Sequence, residues 1–312
     1  GTFYTAEAIP ATSLGAVNPP FIGSSAFTNN QFDFAGARRT SQGFDRPVGL
    51  VFSPLGAALQ SVDPNFRTPY AQQWNAGVQH HFPGQVLLTV QYVGTAGKKL
   101  VLTPDLNQPR PGPGAVPPRR PYPDFNAISW TESGGSSIYH SLQVSAEKRM
   151  SGGLSLLASY TWAHAIDNGD FLGGRQNLYD LRSERGHGNV DLRQRLVVSW
   201  MYELPVARGR RFFGGWQVNG INNFYTGLPF TPSSSINTLN GSGGQRPDRV
   251  ANGNLPAAQR TIARWFDVAA FRTPGQFLFG NSGRNVLLGP GTVQLDFSVL
   301  KSFYFSEKRT RR

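Results

Sequence analysis

The chain has 312 residues, only 15% of them charged, with 36 Gly and 23 Pro, a balance that suits turns and long connections better than a soluble helical protein. The absence of Cys excludes disulfides and thiolate metal sites. No run of 18 apolar residues offers a spanning helix, a test that barrel strands escape because only alternate residues face lipid. The net charge of +12 invites a nucleic-acid partner. Its bases are scattered, however, over Arg38-Arg39, Lys98-Lys99, Arg119-Arg120, Arg208 to Arg211 and Lys308 to Arg312. Solvated connections and anionic lipid headgroups account for them, so no nucleic acid is expected.

Residues 1–69 show no sustained periodicity and read as a loop-rich segment, an extracellular loop with a short strand at Val48–Phe52. Gly1-Thr2-Phe3-Tyr4 lacks the basic and apolar regions of a signal peptide, which implies a removed signal or a piece of a longer protein. Tyr70–Phe82 is the first clear strand: Trp74, Ala76 and Val78 alternate with Gln73, Asn75 and Gly77. Pro83-Gly84-Gln85 turns it into Val86–Val93, with Val86, Leu88, Val90 and Tyr92 on one face. A long connection is expected over 94–137, because the proline run around Pro109–Pro123 cannot donate to a ladder.

The strongest signal follows, from Ile138 to Ala165. Leu142, Val144 and Ala146 alternate with Gln143, Ser145 and Glu147. After Ser151-Gly152-Gly153, Leu156, Ala158, Tyr160 and Trp162 alternate with Leu157, Ser159 and Thr161. A period of two on both sides of a Gly turn predicts a hairpin. Its arms exceed the usual strand length of about 5–6 residues. Long alternating strands ending in aromatics fit a transmembrane barrel. Beyond a second long loop at about 166–191, Leu192–Leu204 carries Leu196, Val198, Trp200 and Tyr202 against Arg195, Ser199 and Glu203. Trp216–Thr226 follows, then a third long loop at about 227–291. The last strand, Thr292–Phe305, sets Val293, Leu295 and Phe297 against Gln294, Asp296 and Ser298, and residues 307–312 read as a basic periplasmic turn.

The expected fold is therefore all-β, an antiparallel transmembrane barrel segment of about seven or eight strands over 70–306. Short turns and long loops alternate in it, as periplasmic and extracellular connections do. Gln73, Gln143, Glu147, Arg195, Glu203 and Asp296 are the expected lumen residues. Trp74, Tyr92, Tyr160, Trp162, Trp200, Tyr202 and Trp216 are the expected interface aromatics. A soluble or surface-exposed β-sandwich whose basic loops hold an anionic polymer would pack the same aromatics in a core, and a truncated product without independent activity is a further alternative.

No catalytic constellation emerges, and neither an enzyme activity nor a cofactor is expected. His80, His81, His140, His164 and His187 lack metal-motif spacing, so no metal site is expected. No serine sits in a nucleophile elbow. Asp167-Asn168-Gly169-Asp170 has the flavour of a calcium loop but lacks the remaining ligands and the closing Glu, so it reads as a turn. Gly112-Pro113-Gly114 and Gly280–Gly283 lack the strand, helix and lysine of a phosphate cradle.

TPYAQQWNAGVQHHFPGQVLLTVQYVGTAGKKL at Thr68–Leu100 resembles the Oar-like TonB-dependent receptors of Gram-negative bacteria. YHSLQVSAEKRMSGGLSLLASYTWAHAIDN at Tyr139–Asn168 and LRQRLVVSWMYELPVARGRR at Leu192–Arg211 are similar to them as well. GWQVNGINNFYTGLPFTP at Gly215–Pro232 and FGNSGRNVLLGPGTVQLDFSVLKSF at Phe279–Phe303 extend the likeness to the end of the chain. The resemblance implies an outer-membrane barrel of about 22 strands with a plugged lumen, of which this is a C-terminal part. It also implies transport or surface binding of a bulky ligand, and as partners outer-membrane lipid, a plug domain, the remaining strands and the TonB complex. The chain departs from the family in having no plug, TonB box or terminal aromatic strand.

Overall fold

The structure is a computed structural model that describes residues 2–4, 18, 57–169, 175–206, 214–241 and 243–303. The strand expected at Val48–Phe52 and the basic turn at 307–312 lie outside them. The elements are β1 (Thr2–Tyr4), β2 (Ala57–Val62), β3 (Tyr70–Phe82), β4 (Val86–Leu102), β5 (Phe125–Ser151), β6 (Leu154–Asp167) and β7 (Gly186–His187). They continue with β8 (Gln194–Glu203), β9 (Trp216–Tyr225), β10 (Pro229–Phe230), β11 (Asp248–Arg249), β12 (Phe271–Arg272), β13 (Leu287–Leu288) and β14 (Thr292–Lys301). Helix is confined, among the described residues, to short 3-10 turns.

One sheet dominates, in the order β1-β3-β4-β5-β6-β8-β9-β14. These neighbours all pair antiparallel. The strands pair as a meander, with tight turns between β3 and β4 and between β5 and β6 and long connections elsewhere. Gly84, Gly152 and Gly153 take positive φ at the turns, where a side chain would be strained. Among the described residues the sheet remains open, with β14 at one edge. β2 adds to β5 in parallel, so the segment expected to be loop contributes two short strands.

The long connection expected over 94–137 is shorter. β4 continues to Leu102 and β5 begins at Phe125. Gly94, Thr95, Ala96 and Gly97 pair with His140, Tyr139, Ile138 and Ser137. Small residues erase hydrophobic alternation without removing any backbone donor or acceptor, so the ladder continues where the pattern stops. The ladder slips near Lys98, Leu100 and Leu102, where Lys99 has φ 55°, the mark of a bulge. The proline-rich run stays outside the strands, as the missing N–H requires.

The register sorts the side chains into two faces. Directly paired residues share a face, and one continuous row reads Val78, Val90, Val144, Tyr160, Leu196, Phe224, Val293. The same face carries Leu88, Ala146, Ala158, Val198 and Leu295 in the next row. It is not a core: Val293, Leu295 and Phe297 are 66%, 65% and 65% exposed. Lys148 and Lys301 lie at its turn end, where long stems can carry the ammonium out of lipid. Polar members of this face include His80, Gln194 and Asn222.

Candidate functional site

All seven expected interface aromatics fall on this apolar face. Trp74 lies in the row of Gly94, His140 and His164, and Tyr92 and Trp162 share the next row inward. Trp200, Tyr202 and Trp216 gather towards the turn end, Tyr202 opposite Leu154. From Trp162 to Leu154 along β6 is roughly 26 Å at about 3.3 Å per residue. That approximates the height of a lipid-facing band between two girdles. Tyr160 sits one row inside the upper girdle.

The upper girdle is built around a glycine. A Cβ on Gly94 would collide with the Trp74 indole, so the ring lies across the bare backbone. Tyr92 Oη lies 2.7 Å from His140 Nδ1, and Trp74 Nε1 donates to Tyr92 Oη at 3.4 Å. At the lower girdle Trp200 lies over Gly220 and meets Phe297 with ring centroids 6.2 Å apart. Lys301 Nζ stands 4.6 Å from the Trp216 ring centroid.

The six expected lumen residues share the opposite face. Gln143 and Arg195 belong to one row, with Gln91 and Thr161 between or beside them. Glu147 and Asp296 belong to another, with Leu157, Ser199 and Ile221. Gln73 lies toward the loop end and Glu203 at the turn end. This face is mixed rather than purely polar, since Leu157, Ile221 and Leu300 are exposed on it.

The three long connections, 103–124, 168–193 and 226–291, leave the same end of the strands and interlock into a cap. Its centre is the pair Arg246–Glu184, where Nη1 donates to Oε2 at 2.8 Å and Nη2 to Oε1 at 3.0 Å. Both side chains are almost wholly buried. Gln176 joins them: its N–H donates to Glu184 Oε1, its Oε1 accepts from Arg246 N, and its Nε2 donates to Gly280 O. Gln108 brings in the first connection by donating to Gln176 O and accepting from Leu178 N. Asn107 closes the proline-rich connection by donating to Tyr122 O, Phe125 O and Asn126 O. Arg284 pairs with Asp167 and donates to Glu184 O, and Arg175 pairs with Glu132. Asp167, the calcium-like position, is thus held by a guanidinium, and Asp170 lies outside the described residues.

Two of the clefts in this cap border residues described above. One of about 440 Å³ is walled by Arg175, Gln176, Glu184, Asn189, Arg246 and Arg284. The other, about 580 Å³ and largely apolar, lies where β8, β9 and β14 meet their loops, beside Arg195, Tyr225, Leu228 and Phe230. Arg195 stacks over the Tyr225 ring at 5.5 Å, which places an expected lumen residue at the mouth of that cleft.

The spacing of the histidines gave no sign of one further cluster. β7 and β8 both pair with β6 but leave a gap at Ala163–Ala165. Asp191 fills it: its Oδ1 accepts from Ala165 N at 2.7 Å, standing in for a strand carbonyl. Its Oδ2 lies 3.0 Å from His164 Nδ1, 3.2 Å from His187 Nδ1 and 3.1 Å from Arg193 Nε. Burial and then the Arg193 guanidinium push the His187 imidazole below its ordinary pKa, against the opposing pull of Asp191. His187 and Asp191 are four residues apart, but His164 reaches them only through the sheet.

Residues 1–311 match a family model described as an outer membrane beta barrel domain. A comparison with curated proteins finds no match. Among solved structures, the chain is similar to the outer membrane transporter YddB from Escherichia coli, with TM-score 0.38, 10% identity, and 59% of this chain and 24% of that chain covered. It is also similar to the FrpB iron transporter from Neisseria meningitidis (F3-3 variant), with TM-score 0.36, 13% identity, and 55% and 21% covered. The chain thus spans about a quarter or less of the length of either. With an apolar band on one face, a face of mixed polarity opposite it and a family match over nearly its whole length, the chain belongs to the outer membrane beta barrel domain family and resides in the outer membrane.

Proposed function

We propose that the chain forms a sector of the wall of an Oar-like, TonB-dependent receptor, in which the loop cap binds a bulky ligand outside the cell. The role is binding and passage, without enzyme chemistry or a cofactor. The observation that carries this reading is one-sidedness: the connections 103–124, 168–193 and 226–291 leave the same end and are tied by hydrogen bonds into a cap with open clefts, while tight turns join β3 to β4 and β5 to β6 at the other end. Recognition loops on a rigid barrel follow this plan. The open edges require further strands to close the wall, because an unpaired edge cannot persist in lipid. Leu157, Ile221 and Leu300 on the inner face suit contact with a protein plug better than with a water column. Crosslinking of TonB to the full-length protein in energised cells tests the receptor reading. A crosslink, together with antibody access from outside to a tag inserted at Gly114, is expected. A surface tag without any TonB crosslink would reduce the protein to a passive surface binder.

A further inference from the structure

We propose that His164, His187 and Asp191 form a three-ligand site for a divalent transition-metal cation such as zinc, with the fourth position open to solvent at the outer rim of the barrel. The ligand atoms lie within 4.8 Å of one another. Zinc bound to imidazole nitrogen and carboxylate oxygen at about 2.0–2.1 Å in a tetrahedron separates its ligands by about 3.3 Å. The two N···O distances, 3.0 and 3.2 Å, already approach that edge. Closing the third requires rotation of imidazoles that are each about one-third exposed, 32% and 35%. Two imidazoles and one carboxylate are a donor set suited to zinc, iron, nickel or copper rather than calcium or magnesium.

A second observation points the same way. His187 Nδ1 is buried and lacks a hydrogen-bond partner, although it lies 3.2 Å from Asp191 Oδ2. Either a proton on Nδ1 or a metal cation must lie between this nitrogen and the carboxylate oxygen, and the poor alignment for a hydrogen bond suits the metal. The carboxylate is oriented by the Ala165 N–H on its other oxygen, which leaves Oδ2 as the donor, and a ligand so fixed is the arrangement that metal sites favour. Arg193 Nε also lies 3.1 Å from Oδ2, but its side chain is 36% exposed and can swing to solvent. The placement is equally specific. His164 lies one row outside Trp162 on the lipid-facing side, and His187 pairs with Ile166 beside it. The site therefore sits just above the girdle, and an occupying ion would pin the 168–193 connection to the rim of the wall.

Zinc titration of the full-length protein in detergent, monitored by competition with a chromophoric chelator, tests this. One saturable site is expected, weakened at least about 100-fold by His187→Ala, beyond the loss typical for removing a residue that merely orients a ligand. His164→Ala should do the same, and heat-modifiable migration of each variant shows that the wall still forms. The double variant H80A/H81A should bind as the wild type does. Cobalt in place of zinc should give the visible bands of a four-coordinate ion. Absence of saturable binding, or binding lost in H80A/H81A and kept in His187→Ala, would overturn the proposal.

Discussion

The wall and the cap of this protein are built on opposite rules. In the wall, the rows through Val78 and Leu88 turn large apolar side chains outward, and exposure there is the design, because lipid replaces a packed interior. In the cap, polar and charged side chains are buried alongside apolar ones such as Leu287: Asn107, Glu184, Asp191, Gln245 and Arg246 are all below a tenth exposed. Each is held by several hydrogen bonds, as burial of polar groups demands. The wall needs only a period of two to be specified. The cap needs particular partners in particular places, and each substitution there leaves another buried group without its mate.

The contrast predicts a graded set of losses. Glu184→Gln or Arg246→Met removes one half of a buried bidentate pair and should destabilise the cap by about 3–5 kcal/mol. It would be read as protease cleavage of the loops at lower urea with heat-modifiable migration unchanged. Loss of the barrel band as well would show that cap and wall are one cooperative unit. Val198→Arg, in the row midway between the girdles, should cost the wall about 2–4 kcal/mol in urea unfolding. Val197→Arg, one residue away on the inner face, should cost much less. Gly94→Val drives a side chain into the Trp74 ring and should cost about 1–3 kcal/mol as overpacking. Lys301→Gln removes the ammonium above Trp216 and should cost only about 0.5–1 kcal/mol.

The wall was legible in the sequence because its information is local. Leu142, Val144, Tyr160 and Trp162 announce their face by alternation alone, and Pro83-Gly84-Gln85 and Ser151-Gly152-Gly153 set the register. Legibility ended where small residues took over: Gly94 to Gly97 and Ser136 to Ser137 pair as strand but offer no apolar period. The cap was not legible because its contacts are remote in sequence. Glu184 and Arg246 are 62 residues apart, Gln176 and Arg246 are 70, and Gln108 and Gln176 are 68. Nothing in the spacing of Gln, Asn and Arg in a polar loop distinguishes a buried partner from a solvated one. His164 and Asp191 illustrate the same point, since the gap in pairing along β6, not a motif, brings them together.

The two-faced wall is the central feature of this protein, and the absence of Cys from these 312 residues lets single cysteines probe it. Single cysteines placed in turn from Leu196 to Tyr202 in the full-length protein, each spin-labelled in lipid bilayers, report whether oxygen dissolved in lipid or a polar relaxant reaches the site. Oxygen should dominate at 196, 198, 200 and 202, and the polar relaxant or plug contact at 197, 199 and 201. Accessibility that fails to alternate along this strand, or alternates with the opposite phase, would contradict the account.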